Sequence, residues 1–106
     1  MKEQVIAEIS VAPLGTPTTS LSQYVAGCLK AIEGVPDVSY ELTAMGTIIQ
    51  GPLGRVLKLT QKMHEVPFTL GAKRVLTTVK IDDRRDKPAT MEGKVRAVHQ
   101  AAGSGT

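Results

Sequence analysis

The densest collection of groups able to do ionic or acid–base chemistry is the stretch VKIDDRRDKP, Val79 to Pro88. Asp82 and Asp83 offer two adjacent carboxylates, but neighbours on an extended chain point to opposite faces, so the pair is no ready-made proton-transfer dyad. A charged run after an apolar segment is ordinarily a solvated turn. His64 stands beside Glu65 in one helical pattern and His99 lies in another, so both read as surface or boundary residues rather than general bases. Cys28 is the single cysteine, which excludes an intramolecular disulfide; it reads as a small core residue. With the two histidines far apart, no metal-ligand spacing arises. The GPLG at 51–54 lacks the Gly-Lys-Ser/Thr ending of a phosphate loop. Three hydroxyl- or charge-rich segments stand out as able to converge: TPTTS at 16–20, Met45-Gly46-Thr47, and KIDDR at 80–84.

Several elements must position these groups. From Gln4 to Ala12 apolar residues alternate, with Val5, Ala7, Ile9 and Val11 on one side, which predicts a half-buried strand. Pro13, Gly15 and Pro17 then break the pattern. Ser20 followed by Gln23 has the capping-box spacing, and Leu21, Tyr24, Val25, Cys28, Leu29 and Ile32 follow at helical intervals up to Gly34 and Pro36. VSYELTAM alternates again and GTIIQ resumes after Gly46, either as a hairpin bent around Met45-Gly46-Thr47 or as one long strand bulged at Gly46. Val56, Leu59, Thr60, Met63 and Val66 mark a second helix, which Pro67 should end or kink, since proline lacks an amide donor and clashes with the preceding turn. Val75, Thr77, Val79 and Ile81 share one face of a last strand. Met91, Val95, Val98 and Ala102 mark a short third helix with Glu92 and Arg96 as an i,i+4 pair.

The order β-α-β-β-α-β with an added helix is the ferredoxin-like split βαβ pattern, an α+β sandwich whose antiparallel sheet carries its helices on one face. A chain of 106 residues has room for one core, so 1–102 is expected to be a single domain and 103–106 a loose tail. The other sheet face would carry Ile6, Glu8, Ser10, Glu41, Thr43, Met45, Ile48, Gln50, Leu76, Thr78 and Lys80, too apolar for full solvation and too polar for a closed core. Packing against a second copy follows, as a dimer or tetramer. A formal charge of +3 without basic clusters, no Trp, one Phe and two Tyr argue against nucleic-acid binding. No apolar run approaches the ~20 residues of a membrane span and no signal core opens the chain, so a cytoplasmic protein without membrane contact is expected.

The segments VAPLGT, TSLSQYVA, YELTAMGTIIQG and RVLTTVKIDDRRD resemble the thiamine-binding protein family over nearly the whole chain. Pro67 departs from that pattern. The resemblance implies a ferredoxin-like domain that binds thiamine or its hydroxymethylpyrimidine part without catalysis or a cofactor, in subunits associating through sheet faces or edges. Such a ligand needs hydrogen-bonding groups for its aminopyrimidine edge, apolar surface for the ring and a carboxylate for the thiazolium. Thr18, Thr19, Ser20, Thr43, Thr47 and Thr78 could supply the first, Met45 and Leu76 the second, and Glu41, Asp82 or Asp83 the third; Gly46 and Lys80 complete the candidate set. Each residue has a plainer use as well: Ser20 as a helix cap, Thr43 and Thr78 as strand formers, Met45 as interface packing, Asp82 in an intersubunit ion pair with Arg84 or Arg85. Two rival functions stand beside ligand binding: a self-associating module with no ligand, and an enzyme using Asp82 or Asp83.

Overall fold

The computed structural model describes residues 4–17, 19–87 and 90–103. Strands β1 (Gln4–Leu14), β2 (Ser39–Thr43), β3 (Gly46–Pro52) and β4 (Arg74–Asp82) form one antiparallel sheet in the order β2-β3-β1-β4. Helices α1 (Ser22–Ile32) and α2 (Leu53–Thr69) follow β1 and β3, and α3 (Met91–Gly103) closes the described chain. This is the expected α+β ferredoxin-like arrangement. The tail beyond Gly103 lies outside the described residues.

The core forms where three apolar periodicities meet. Val5, Ala7 and Ile9 of β1 and Ile49 of β3 point to one side, against Cys28 and Ile32 of α1 and Val56, Leu59 and Met63 of α2. Burying each large aliphatic side chain contributes about 1.5–3 kcal/mol. Gly27 lets the helices approach closely, since a Cβ there would stand 2.8 Å from Val66 Cγ1. The opposite face is open except where α3 begins: Met91 N donates to Gln50 Oε1 at 2.9 Å and Lys94 Nζ to Asp82 Oδ2 at 2.6 Å. Thr90 caps that helix, its Oγ1 accepting from Gly93 N at 2.9 Å.

Four local expectations are corrected. Pro13 does not end the first strand, which continues to Leu14 beside β4 after its pairing with β3 has stopped at Ile9. The Ser20–Gln23 capping box does not form: α1 starts after Leu21 with no side-chain cap, and Ser20 Oγ lies 3.3 Å from Ser22 Oγ instead. The β2–β3 hairpin is the right alternative of the two, but Thr43 pairs with Gly46, so the turn is Ala44-Met45, one residue earlier than expected. Lys94 takes Asp82 as its partner, while Glu92 and Arg96 make no ion pair among the described residues.

Pro67 neither ends α2 nor leaves it unsatisfied. The helix runs on to Thr69 with Pro67 buried in its last turn. Lacking an N–H, Pro67 cannot serve the carbonyl of Met63 four residues earlier, and that carbonyl accepts Cys28 Sγ at 3.4 Å. Burial pushes the Cys28 thiol's pKa up, so it stays protonated and able to donate. The unfolded thiol ionises first, near its ordinary value of about 8.5, so this contribution is present below that pH and is lost as pH rises towards the folded value. Cys28→Ala, which strands the carbonyl, should lower unfolding stability by about 1–3 kcal/mol at neutral pH. Denaturant titrations should find the gap between wild type and variant narrowing as pH rises above the ordinary thiol value of about 8.5; a gap that is absent or constant would remove the thiol from this role.

Candidate functional site

The β2–β3 turn, the second half of β1 and the start of α1 enclose a cavity of about 160 Å³ between the sheet and the helices. The turn is built by Thr43, whose Oγ1 donates to the Gly46 carbonyl at 2.9 Å and accepts from Met45 N at 3.3 Å. No non-glycine residue among those described has a positive φ, so Ala44-Met45 is not one of the primed turns usual in two-residue hairpins, and the Thr43 side chain holds it. Gly46 packs onto β1 so tightly that a Cβ would stand 2.9 Å from the Ile9 carbonyl oxygen. Met45, 82% exposed, hangs at the rim.

Inside, the walls are Ile9 and Val11 of β1, Leu42 of β2, Leu21 just before α1, Val25 and Cys28 of α1, and Met63 of α2. Thr47 is the buried polar residue of the core side, 4% exposed, on a strand position that faces the helices. It borders the cavity, and its hydroxyl is not among the fully buried side-chain atoms left without a partner among the described residues. With the Thr43 hydroxyl engaged in the turn, the Thr47 hydroxyl is a side-chain group placed to meet a polar atom of a ligand. No charged residue lines the cavity, and three sulfur-bearing residues do: Cys28, Met45 and Met63. Polarisable sulfur favours contact with aromatic rings.

The sheet divides the expected site residues. Thr43, Met45, Gly46 and Thr47 gather at the cavity. Thr78, Lys80 and Asp82 lie on the opposite face with Glu41 and Leu76, because they share the register of Glu8 and Ser10 rather than Ile9. There the charges answer one another: Lys80 Nζ is 3.7 Å from Glu8 Oε1, and Asp82 holds Lys94. Asp83, past the strand, binds Arg85 at 2.7 Å, which lowers its pKa; Arg84 at 2.6 Å likewise holds Asp86 at about 2. Thr19 and Ser20 are exposed in the loop before α1, and Thr18 lies outside the described residues. Leu21, Val25, Leu42 and Met63 were missed as wall residues because their spacing reads simply as core, and Cys28 is both core and wall.

The other chemical groups make no second centre. His64 Nδ1 lies 2.7 Å from Thr77 Oγ1, with its ring edge against Phe68 at 5.6 Å, and His99 borders a groove between β2 and α3. Among the described residues no group of three His, Cys, Asp or Glu could hold a metal, and no helix is long and apolar enough to cross a membrane.

The fold and this cavity define a small ferredoxin-like domain with a pocket under its β2–β3 hairpin. The profile of the thiamine-binding protein family matches residues 7–99, and the chain belongs to that family. It is 43% identical over 98 residues to the UPF0045 protein YqgV of Bacillus subtilis, covering 90% of this chain and 94% of that one. A UPF0045 protein of Staphylococcus xylosus is 40% identical over 103 residues, covering 94% and 96%. The crystal structure of a hypothetical protein from Methanocaldococcus jannaschii superposes with a TM-score of 0.82 at 35% identity, covering 92% of this chain and 98% of that one. A Thermotoga maritima protein provisionally assigned to thiamine biosynthesis or salvage shares the fold at a TM-score of 0.73 and 20% identity, covering 90% and 98%.

Thr47→Val replaces the hydroxyl by a methyl of similar size. Thermal unfolding should show the unliganded protein unchanged or stabilised by up to about 2 kcal/mol; a clear loss of stability would mean that the hydroxyl is satisfied in the free protein.

Proposed function

We propose that this protein binds thiamine or its hydroxymethylpyrimidine half without transforming it, as a cytoplasmic homo-oligomer. The observation that carries the reading is an uncharged, sulfur-lined cavity of about 160 Å³ with the buried Thr47 in its wall. Cavities of ~150 Å³ accept benzene, whereas sites for drug-sized molecules run to ~300 Å³ or more. One six-membered ring therefore fits and a whole thiamine does not, so the pyrimidine enters and the thiazolium stays at the rim near Met45. Membership of the thiamine-binding protein family supports the same ligand class. A non-catalytic role agrees with the separation of the carboxylates from the cavity by the sheet.

Isothermal titration with thiamine and with the hydroxymethylpyrimidine should give saturable binding, and Thr47→Val should weaken it about tenfold, the loss of one hydrogen bond. No heat and no thermal shift with either compound at millimolar concentration would remove the ligand reading.

Self-association rests on a separate observation. Leu76 on the open sheet face is 60% exposed, and Val95 and Val98 on α3 are 58% and 65% exposed. These apolar side chains suit contact with a second copy. Sedimentation velocity should find a dimer or tetramer that Leu76→Glu shifts towards monomer. A wild-type monomer at micromolar concentration would refute self-association while leaving the cavity intact.

A further inference from the structure

We propose that the main chain of β1, at Val11, reads the edge of the bound ring, and that this edge-on contact admits only a neutral heterocycle carrying an N–H donor beside a ring-nitrogen acceptor. The proposal rests on the reading that the cavity takes a pyrimidine, and it states how the ring is held and which substituents the site excludes.

Ser10, Val11 and Ala12 all border the cavity. Successive side chains on a strand alternate between faces, so three consecutive residues border one space only when the strand presents its edge to it. The edge is free there because β3 pairs with β1 only as far as Ile9, while β4 continues alongside to Leu14. The Ile9 carbonyl oxygen lies against Gly46 at the start of β3, so the polar groups of Ile9 point to the β3 side. In an antiparallel strand the N–H and C=O of one residue point to one side and those of the next to the other. The groups of Ser10 and Ala12 therefore turn to β4, and those of Val11 turn to the β3 side, past the end of β3. No turn or loop backbone group among the described residues bonds to them.

One residue thus offers a donor and an acceptor, side by side and parallel, to the space that Thr47 enters. In an ordinary ladder a partner residue supplies the complementary pair. An aminopyrimidine supplies it too: the exocyclic N–H donates to the Val11 carbonyl while the adjacent ring nitrogen accepts from the Val11 N–H. Thr47, opposite Ile9 in the register, is left for a further ring nitrogen. Recognition of this kind is strand addition with a heterocycle in place of the strand.

Charge is excluded by the same walls. None of the lining residues is ionisable to a charged partner at neutral pH, Cys28 being held as the thiol. A phosphoryl group or the thiazolium, drawn inside, would lose water and gain no counter-charge. Thiamine should therefore owe its affinity to its pyrimidine half.

The test is a titration of ¹⁵N-labelled full-length protein with four probes: thiamine, its free pyrimidine alcohol, thiamine monophosphate, and the oxo analogue of the pyrimidine in which a carbonyl replaces the amino group. The pyrimidine alcohol should bind within about threefold of thiamine, the monophosphate no tighter, and the oxo analogue at least about tenfold more weakly, since its edge places acceptor against acceptor. At saturation the Val11 amide should shift strongly and its hydrogen exchange should slow. Binding that leaves the Val11 amide and its exchange unchanged would overturn the inference while the pyrimidine reading stands, as would monophosphate binding more than tenfold tighter than the alcohol or an oxo analogue that binds equally well. Failure of all four probes to bind would overturn both.

Discussion

The contact on which the arrangement of this molecule turns is the one between the Cys28 thiol and the Met63 carbonyl. Pro67 withholds the amide that would otherwise satisfy that carbonyl, and a buried carbonyl without a donor is destabilising by an amount comparable to the value of a single cap or core methyl. The donor comes from the neighbouring helix. α1 is consequently tied to α2 at the place where Gly27 brings the two close, and its first turn, with Leu21 and Val25, is fixed beside the β2–β3 turn. The same burial that keeps the thiol protonated removes it from nucleophilic chemistry. Cys28 is a structural donor behind the hairpin cavity.

The second constraint is the two-residue period of the strands. It sends Thr47 and Ile49 to the helices and Ile48 and Gln50 to the open face, and it separates neutral chemistry from ionic chemistry by the thickness of one sheet. On the open side the charges of the KIDDRRD stretch are matched within the chain, by Glu8, Lys94 and their own neighbours two residues away. Exposed pairs of this kind add little stability, but they neutralise the link between β4 and α3. That stretch works as a junction that sets where α3 begins, with Gln50 as its second anchor.

Much of the fold was legible because periodicity reports burial directly. The seven elements, the strand order and the facing of β1 and β4 follow from alternation, helical spacing and the preference for split βαβ connections, whereas Thr43 and Met45, expected on the open face, border the cavity instead. The exceptions have a common cause, which is that local rules speak of a residue's own groups and not of its neighbours' needs. Pro13 looked like a strand breaker, yet the N–H it lacks would have pointed past the end of β3, where no acceptor waits. Pro67 looked like a helix stop because the donor that rescues Met63 lies thirty-five residues away in sequence. The site was half legible for a similar reason. Thr43, Met45, Gly46 and Thr47 are adjacent in sequence and gather in space, whereas the walls contributed by Val25, Leu42 and Met63 carry no mark beyond apolar spacing. Asp82 and Thr78 attracted notice through their chemistry, and register placed them on the other face.

An uncovered strand edge is ordinarily a liability, since it invites pairing with any extended chain. Here the edge is very short. On the β3 side of β1 the outward-pointing positions after Ile9 are Val11 and Pro13, and Pro13 offers no donor. What remains is one complete donor–acceptor pair, roofed by the hairpin turn and floored by Cys28 and Met63. A strand cannot add to an edge of one residue, so aggregation through it is blocked by geometry. A single flat ring can. Larger side chains at Ala12, Ala44 or Thr47 would fill the space and gain dispersion energy; small residues there give up stability that the fold could otherwise have. That sacrifice, made on the uncharged side of the sheet, is the physical reason to place ligand recognition at the hairpin cavity rather than among the more conspicuous charges of β4.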